Sequence, residues 1–247
     1  MSSRSLRRVV GRVVQIEQAT HDIRLLRLAI EGGAPFPFQA GQYVRLSFSD
    51  LPARDYSMAN PPGTDFLEFH IRDVGDGASR YVATRLSLGE RVTVEGPLGE
   101  AHFRPEHEGP ILALAGGSGL APVKSIVETA LMLPRSQAVH LYFGARTERD
   151  IYLERLFRRL EAMHARFRFV PVLSDADAPT ARRRGLVSDA VAADFDSLAG
   201  FKAYLAGPPA MVEAAVQLLR ARGMPEADIH ADPFYSDEEN RLRRGLA

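Results

Sequence analysis

From Val9 to about Phe103, apolar and polar residues alternate over short runs: VVGRVVQI, DIRLLRLAI, QYVRLSF, DYSMA, FLEFHIR and RVTVEG. A period of two places alternate side chains on one buried face, so each run reads as a strand. Turn-rich pieces such as EGGAPFPFQAG, NPPGTD and VGDGAS separate them. One helix, near Ser79 to Leu86, interrupts the series. Six strands in this length predict a closed antiparallel β-barrel, a form that leaves no exposed edge.

After the turn around Pro105 to Pro110 the rhythm changes. Apolar strands (PILALA, AVHLYFGA, FRFVPVLS, FKAYLA) alternate with amphipathic stretches (LAPVKSIVETALML, IYLERLFRRLEAMHA), a shorter helix near Val187 and a helix from Pro208 to Arg222. A last strand falls near Ile229. Strand–helix alternation predicts an α/β doubly wound parallel sheet, hence a two-domain protein with residues 1–105 as the barrel and 106–247 as the α/β unit. In the Pro208 helix, Met211, Val212, Ala215, Val216 and Leu219 recur at helical spacing and read as core. The polar tail SDEENRLRRGLA is expected to fray.

Composition narrows the chemistry. The 247 residues carry 31 basic and 31 acidic side chains, so net charge calls for neither nucleic acid nor an anionic membrane surface as partner. No apolar run reaches the roughly 20 residues needed to span a bilayer, and a cytoplasmic location is expected. With no cysteine, these residues hold no disulfide and no thiolate-bound iron–sulfur cluster. The seven histidines show no HExxH or paired spacing, so no metal site is expected.

Two constellations carry candidate chemistry. Gly116-Gly117-Ser118-Gly119, with Pro122 just beyond, sits where the strand PILALA turns into a helix. Glycines there let backbone amides approach a pyrophosphate at a helix N-terminus. An ordinary tight turn needs one glycine and rarely recruits three, although the spacing is not GxGxxG. In the barrel half, Arg54-Asp55-Tyr56-Ser57 is followed by His70-Ile71-Arg72 and then Gly77-Ala78-Ser79. Each piece alone fits a solvated barrel face. Together, Arg54 and Arg72 offer charge-assisted bonds to phosphate, Tyr56 a flat face, and the Gly77–Ser79 loop donors at a helix start.

In this order the motifs resemble the ferredoxin–NADP reductase superfamily over roughly Arg8 to Tyr235. Phe38-Gln39-Ala40-Gly41-Gln42-Tyr43 resembles the segment before the flavin motif, and Arg54-Asp55-Tyr56-Ser57 its RxYS. Gly96-Pro97-Leu98-Gly99 resembles its end-of-barrel turn, and Gly116–Gly119 its nucleotide loop. Tyr142–Thr147 and Gly207-Pro208-Pro209-Ala210-Met211 complete the set. Stretches such as THDIR, EFHIR, GPLG and GLAPV look most like reductase components of ring-hydroxylating dioxygenases, the naphthalene dioxygenase reductase type. Those reductases carry a fused 2Fe-2S domain, so a cysteine-free chain is expected to deliver electrons to a separate 2Fe-2S ferredoxin or oxygenase component. The family's usual Cys before Gly-Pro is Ala206 here.

The resemblance implies FAD as cofactor and NADH or NADPH as donor. It implies that Tyr56 stacks on the flavin, that Ser57 bonds the ring nitrogen receiving the hydride, and that Arg54, Arg72, Ser79 and neighbouring amides hold the pyrophosphate. Phe234, in Ala231-Asp232-Pro233-Phe234-Tyr235, would cover the other flavin face and gate the hydride step. A surface ion pair with Asp73 or Glu68 is the plainer reading of Arg72, and a core aromatic that of Phe234. For the donor, Arg146 and Arg149 favour a 2′-phosphate and the alternating Glu148 and Asp150 oppose it, so the resemblance tips the reading to NADH. Arg182-Arg183-Arg184 reads as a solvated loop ahead of a phosphate site. Two further readings stand beside electron delivery: a reductase that releases reduced flavin, and a non-catalytic subunit retaining the fold.

Overall fold

The computed structural model describes residues 6–135, 137–175 and 180–235; the tail from Ser236 lies outside them. The first half folds as β1 (Arg7–Gln18), β2 (Ile23–Ile30), β3 (Tyr43–Phe48), β4 (Arg54–Ser57), β5 (Phe66–Arg72), α1 (Gly77–Thr84) and β6 (Arg91–Leu98). The strands form one antiparallel sheet in the order β4-β3-β6-β1-β2-β5. Its two end strands meet through the bridge Met58–Phe69 and the bond from Ala59 N to the Glu68 carbonyl at 2.7 Å, which nearly closes the barrel. Leu26, Leu28, Val44, Leu46, Phe69 and Val94 fill its interior.

The second half holds β7 (Ile111–Gly116), α2 (Leu120–Met132), β8 (Val139–Ala145), α3 (Glu154–Met163), β9 (Phe167–Leu173), β10 (Arg183–Arg184), α4 (Val187–Asp194), β11 (Lys202–Gly207), α5 (Pro209–Ala221) and β12 (Ile229–Pro233). All strand pairs are parallel, in the order β10-β9-β8-β7-β11-β12. The chain runs outward from β7 on one side and restarts at β11 on the other, so a crevice opens between β7 and β11 at their carboxyl ends.

Two predicted helices start elsewhere, each for a local reason, and a third keeps its expected core face. Helix α1 begins at Gly77, two residues early, because the Ser79 hydroxyl accepts from Val74 N and donates to the Asp76 carbonyl, drawing the loop into the first turn. Helix α3 begins at Glu154 and not Ile151. Leu153 sits in the left-handed region at φ +57, and Thr147 and Asp150 cap a separate 3-10 turn. In α5, Val212, Ala215 and Leu219 are fully buried, while Met211 and Val216 pack at the rim of the same core.

The halves share an apolar cluster. Ile23, Leu25, Ala40 and Phe103 of the barrel pack with Val123, Ile126 and Val127 of α2. Strand β5 sits at this junction with both faces covered. Leu67, Phe69 and Ile71 point into the barrel, whereas Glu68 and His70, 3% and 4% exposed, lie on the opposite face beneath the α/β unit. Lys124 of α2 donates to the Ala59 carbonyl at 3.1 Å and Ser125 to that of Asn60 at 2.7 Å. Polar bonds of this length, set in an apolar seam, fix one domain orientation.

Candidate functional site

The crevice is built by backbone packed too closely for side chains. A Cβ on Gly119 would lie 2.2 Å from the Ala206 carbonyl oxygen, and one on Gly207, at φ +136, 2.7 Å from that of Gly116. The loops after β7 and β11 therefore interlock, and glycine is the residue that permits it. Pro208 Cδ and the Met211 sulfur close over Gly116, within 2.8 Å of where its Cβ would stand. Ala206 is 2% exposed and Pro122 is buried in the first turn of α2.

Arg72 faces this loop from the barrel. Its Nη2 lies 2.5 Å from where a Gly117 side chain would begin, so the guanidinium rests on the glycine turn itself. Its ion partner is Asp22, at 3.1 Å, and neither Asp73 nor Glu68 as sequence suggested. Asp73 holds Arg80 at 2.8 Å, and Glu68 holds Arg27 at 2.8 Å. The Asp22 contact is out of line for a hydrogen bond, so Arg72 Nε stays a buried donor with no hydrogen-bond partner among the described residues. At the start of α1, Asp76 makes no side-chain cap and the first turn has no acidic residue. A buried cation donor and uncapped helix amides form a donor set that fits an anionic pyrophosphate.

On β4, Tyr56 packs edge-on against Phe48 with centroids 6.3 Å apart. Burial, opposed by Arg54, pushes its hydroxyl up to about 12, so it stays protonated. Ser57 is buried and its hydroxyl makes no hydrogen bond among the described residues, leaving a donor-acceptor for a ligand. Arg54 is exposed at the strand's start. Phe234 follows β12, bonds the Gly207 carbonyl through its amide at 2.8 Å, and is half-buried against the shared apolar cluster.

Not every predicted side chain reaches this crevice. Ile71 is 1% exposed inside the barrel, so only its backbone can face a cofactor. The His70 ring points into the domain junction, toward Tyr152 and Glu68. Arg182 and Arg183 form no open cationic loop: Arg182 grips Glu154 at 2.7 Å and Glu148 at 2.6 Å, and Arg183 grips Asp194 at 2.6 Å. Arg146 follows β8, exposed, and with Arg149 makes no ion pair among the described residues. Their acidic neighbours are engaged, Glu148 by Arg182 and Thr180, and Asp150 by the backbone and hydroxyl of Thr147.

Sequence reasoning missed Asp232 and Tyr152. Asp232 pairs with Ala206 across β11 and β12, and its carboxyl is raised to about 6 by burial and then by Asp55, with Tyr43 also in its field. The ADPFY segment held this signal, but the covering barrel residues are some 180 positions away in sequence, and only folding brings them together. No group of three or more His, Asp or Glu suited to a metal ion occurs among the described residues, and no helix there is long and apolar enough to cross a membrane.

Family models match both halves: the oxidoreductase FAD-binding domain over residues 11–103 and the oxidoreductase NAD-binding domain over 113–217. The chain is 46% identical over 231 residues to the ferredoxin–NAD(P)(+) reductase component of the naphthalene 1,2-dioxygenase/salicylate 5-hydroxylase systems of Ralstonia sp, covering 92% of this chain and 69% of that one. The chain belongs to the ferredoxin–NAD(P)(+) reductase family. A family member of the Pseudomonas putida naphthalene 1,2-dioxygenase system is 42% identical, over 92% of this chain and 69% of its own length. Among solved structures of the family fold, the Amycolatopsis cytochrome P450 reductase GcoB superposes with TM-score 0.87 at 38% identity, covering 93% of this chain and 70% of that one. The ferredoxin reductase in carbazole 1,9a-dioxygenase gives 0.85 at 28%, covering 95% and 71%.

Proposed function

We propose that this chain draws electrons from NADH or NADPH at the crevice between β7 and β11 and delivers them to a separate 2Fe-2S ferredoxin or oxygenase component. That it is an FAD-dependent NAD(P)H oxidoreductase follows from its family and from both matched domains. Residues 1–105 serve as the flavin unit and 106–247 as the nucleotide unit. What carries the reading is the contact of Arg72 with Gly117, which joins the flavin-side strand to the dinucleotide loop.

Bound flavin supplies the step from two electrons taken together to electrons released singly. The chain's own residues supply orientation. Arg54, Arg72 and the amides of Gly77, Ala78 and Ser79 would hold the pyrophosphate, the Ser79 hydroxyl donating to the Asp76 carbonyl instead, with Tyr56 against the ring and Ser57 toward its reacting nitrogen. The loops at Gly117–Gly119 and Gly207–Pro208, with Met211 behind them, would seat the dinucleotide. Phe234 would cover the open flavin face and exclude oxygen until nicotinamide displaces it. Because Glu148 and Asp150 are engaged within the chain, Arg146 and Arg149 are left to face a 2′-phosphate, so NADPH is accepted beside NADH.

The test is an absorbance spectrum of the purified protein, repeated after anaerobic NADH or NADPH, then with a 2Fe-2S ferredoxin added. Flavin bands that bleach with the nucleotide and recover as the ferredoxin is reduced are expected. A colourless protein that passes reduced flavin to free solution would replace this reading with flavin release.

A further inference from the structure

Across the domain junction runs a hydrogen-bonded chain that ends on the dinucleotide loop. The His70 Nε2 lies 3.4 Å from Glu68 Oε1, its Nδ1 lies 2.9 Å from the Tyr152 hydroxyl, and that hydroxyl lies 3.2 Å from the Gly117 carbonyl. Both rings are 4% exposed and meet edge to face at 5.3 Å.

Counting protons shows that a neutral His70 cannot satisfy both ends. If Tyr152 donates to Gly117, its oxygen must accept from Nδ1–H, and Nε2 then turns a lone pair toward the Glu68 carboxylate. If Nε2–H donates to Glu68, Tyr152 donates to the bare Nδ1 and the Gly117 carbonyl loses that donor. A protonated ring donates at both nitrogens, which turns the tyrosine proton onto Gly117. Glu68 stays ionised throughout: burial opposes it, but the His70 hydrogen bond, the Lys124 charge and the Arg27 hydrogen bond outweigh burial.

We propose that His70 and Tyr152 are positioning residues for the nicotinamide dinucleotide, forming a relay that braces the Gly117–Gly119 turn when His70 carries a second proton. The inference rests on the crevice being the dinucleotide site. The charged groups around the relay are Glu68 on its own strand, Arg27 on β2, Lys124 and Glu128 on α2, and Arg72 with Asp22 beside Tyr152; of these Glu68 and Lys124 act on the His70 ring. Burial, with Lys124 adding to it against Glu68, pulls the His70 pKa below its ordinary value, so the braced form belongs to acidic pH. Gly117 accepts a second bond from Leu120 N, so the turn persists without Tyr152 but is held more loosely.

The experiment measures NAD+ binding by calorimetry to the FAD-loaded protein at pH 8 and at the most acid pH where circular dichroism shows the wild-type fold intact, for wild type, Tyr152→Phe and His70→Gln. Losing one buried neutral hydrogen bond corresponds to about threefold to tenfold in affinity. Wild type is expected to bind that much more tightly than Tyr152→Phe at the acid pH and equally at pH 8, where the neutral ring keeps its proton on Nε2 toward Glu68. Other titrating groups, Asp232 included, are common to both and cancel in the ratio. His70→Gln keeps the tyrosine but cannot take up a proton, so its affinity ratio to wild type should change between the two pH values in the same direction as that of Tyr152→Phe. A ratio identical at both pH values, even with lowered thermal stability, overturns the relay; His70→Gln decides the point if Tyr152→Phe does not fold. Tight NAD+ binding without bleaching by NADH would instead overturn the electron-transfer reading and leave the relay standing.

Discussion

Replacing Asp232 by Asn should stabilise the protein at neutral pH and leave it unchanged in acid. The Asp232 carboxyl is shifted from 3.8 to about 6, first by burial and then by the neighbouring Asp55. A shift of about two units corresponds to about 3 kcal/mol of unfavourable ionisation in the folded state, at about 1.4 kcal/mol per unit. The sign follows from proton binding. Between about pH 4 and pH 6 the folded protein holds a proton that the unfolded chain has released, so stability falls as pH rises through that window and is level above it. Asparagine keeps the shape and carries no charge, so the variant loses this slope. Urea unfolding of flavin-free wild type and Asp232→Asn, followed by far-ultraviolet circular dichroism from pH 4 to pH 8, reads the difference. The gap should grow with pH by roughly 2–3 kcal/mol in favour of the variant. A gap that does not change with pH, or wild type gaining stability across the window, would refute the reasoning.

Phe234→Ala should speed reoxidation of the reduced flavin by oxygen and weaken discrimination between nucleotides, because the open ring face loses its cover; stopped-flow reoxidation at the wild-type rate would remove Phe234 from that role. Lys124→Met should cost about 3–5 kcal/mol, since it strands Glu128 and strips Glu68 of one of its two cationic partners in a buried site. A thermal midpoint unchanged by that substitution would mean that the cluster contributes nothing to stability. The double change Arg146→Gln with Arg149→Gln should raise the KM for NADPH by about tenfold or more and leave that for NADH within twofold, since even one charged hydrogen bond to a phosphate contributes about 1.5–3 kcal/mol. Equal effects on both nucleotides would move the 2′-phosphate site elsewhere.

The two domain types were legible because their patterns have different periods. Alternation at two positions in DIRLLRLAI and FLEFHIR gave strands, and fully apolar runs such as ILALAG, buried at every position, gave parallel strands sandwiched between helix layers. The helix near Tyr152 was misread at its start because nothing in IYLERL marks Leu153 as left-handed. Site residues were legible where chemistry and chain order coincide, as in the glycine loops and the Arg54–Ser57 strand. They were illegible where two distant strands supply one environment. FLEFHIR reads as a half-solvated strand, and the acid and histidine on its polar side look like surface residues until α2 and Tyr152 cover them. Arg72 could not be separated from an ordinary ion pair, since Asp22 lies fifty residues earlier on the loop before β2.

Strand β5 shows why the fold and the site cannot be altered independently. Its inward residues complete the barrel core, its outward Glu68 is held by Arg27 of the barrel together with Lys124 of the other domain, its His70 bonds Tyr152 of that domain, and its end places Arg72 on Gly117. A substitution that loosens the junction therefore leaves Glu68 as a buried charge short of partners, at a cost of several kcal/mol. The same movement lifts Arg72 from the glycine turn. The domain that would hold flavin and the domain that would hold nucleotide are thus kept in one orientation by polar contacts to Glu68 and His70 that are complete only in that orientation.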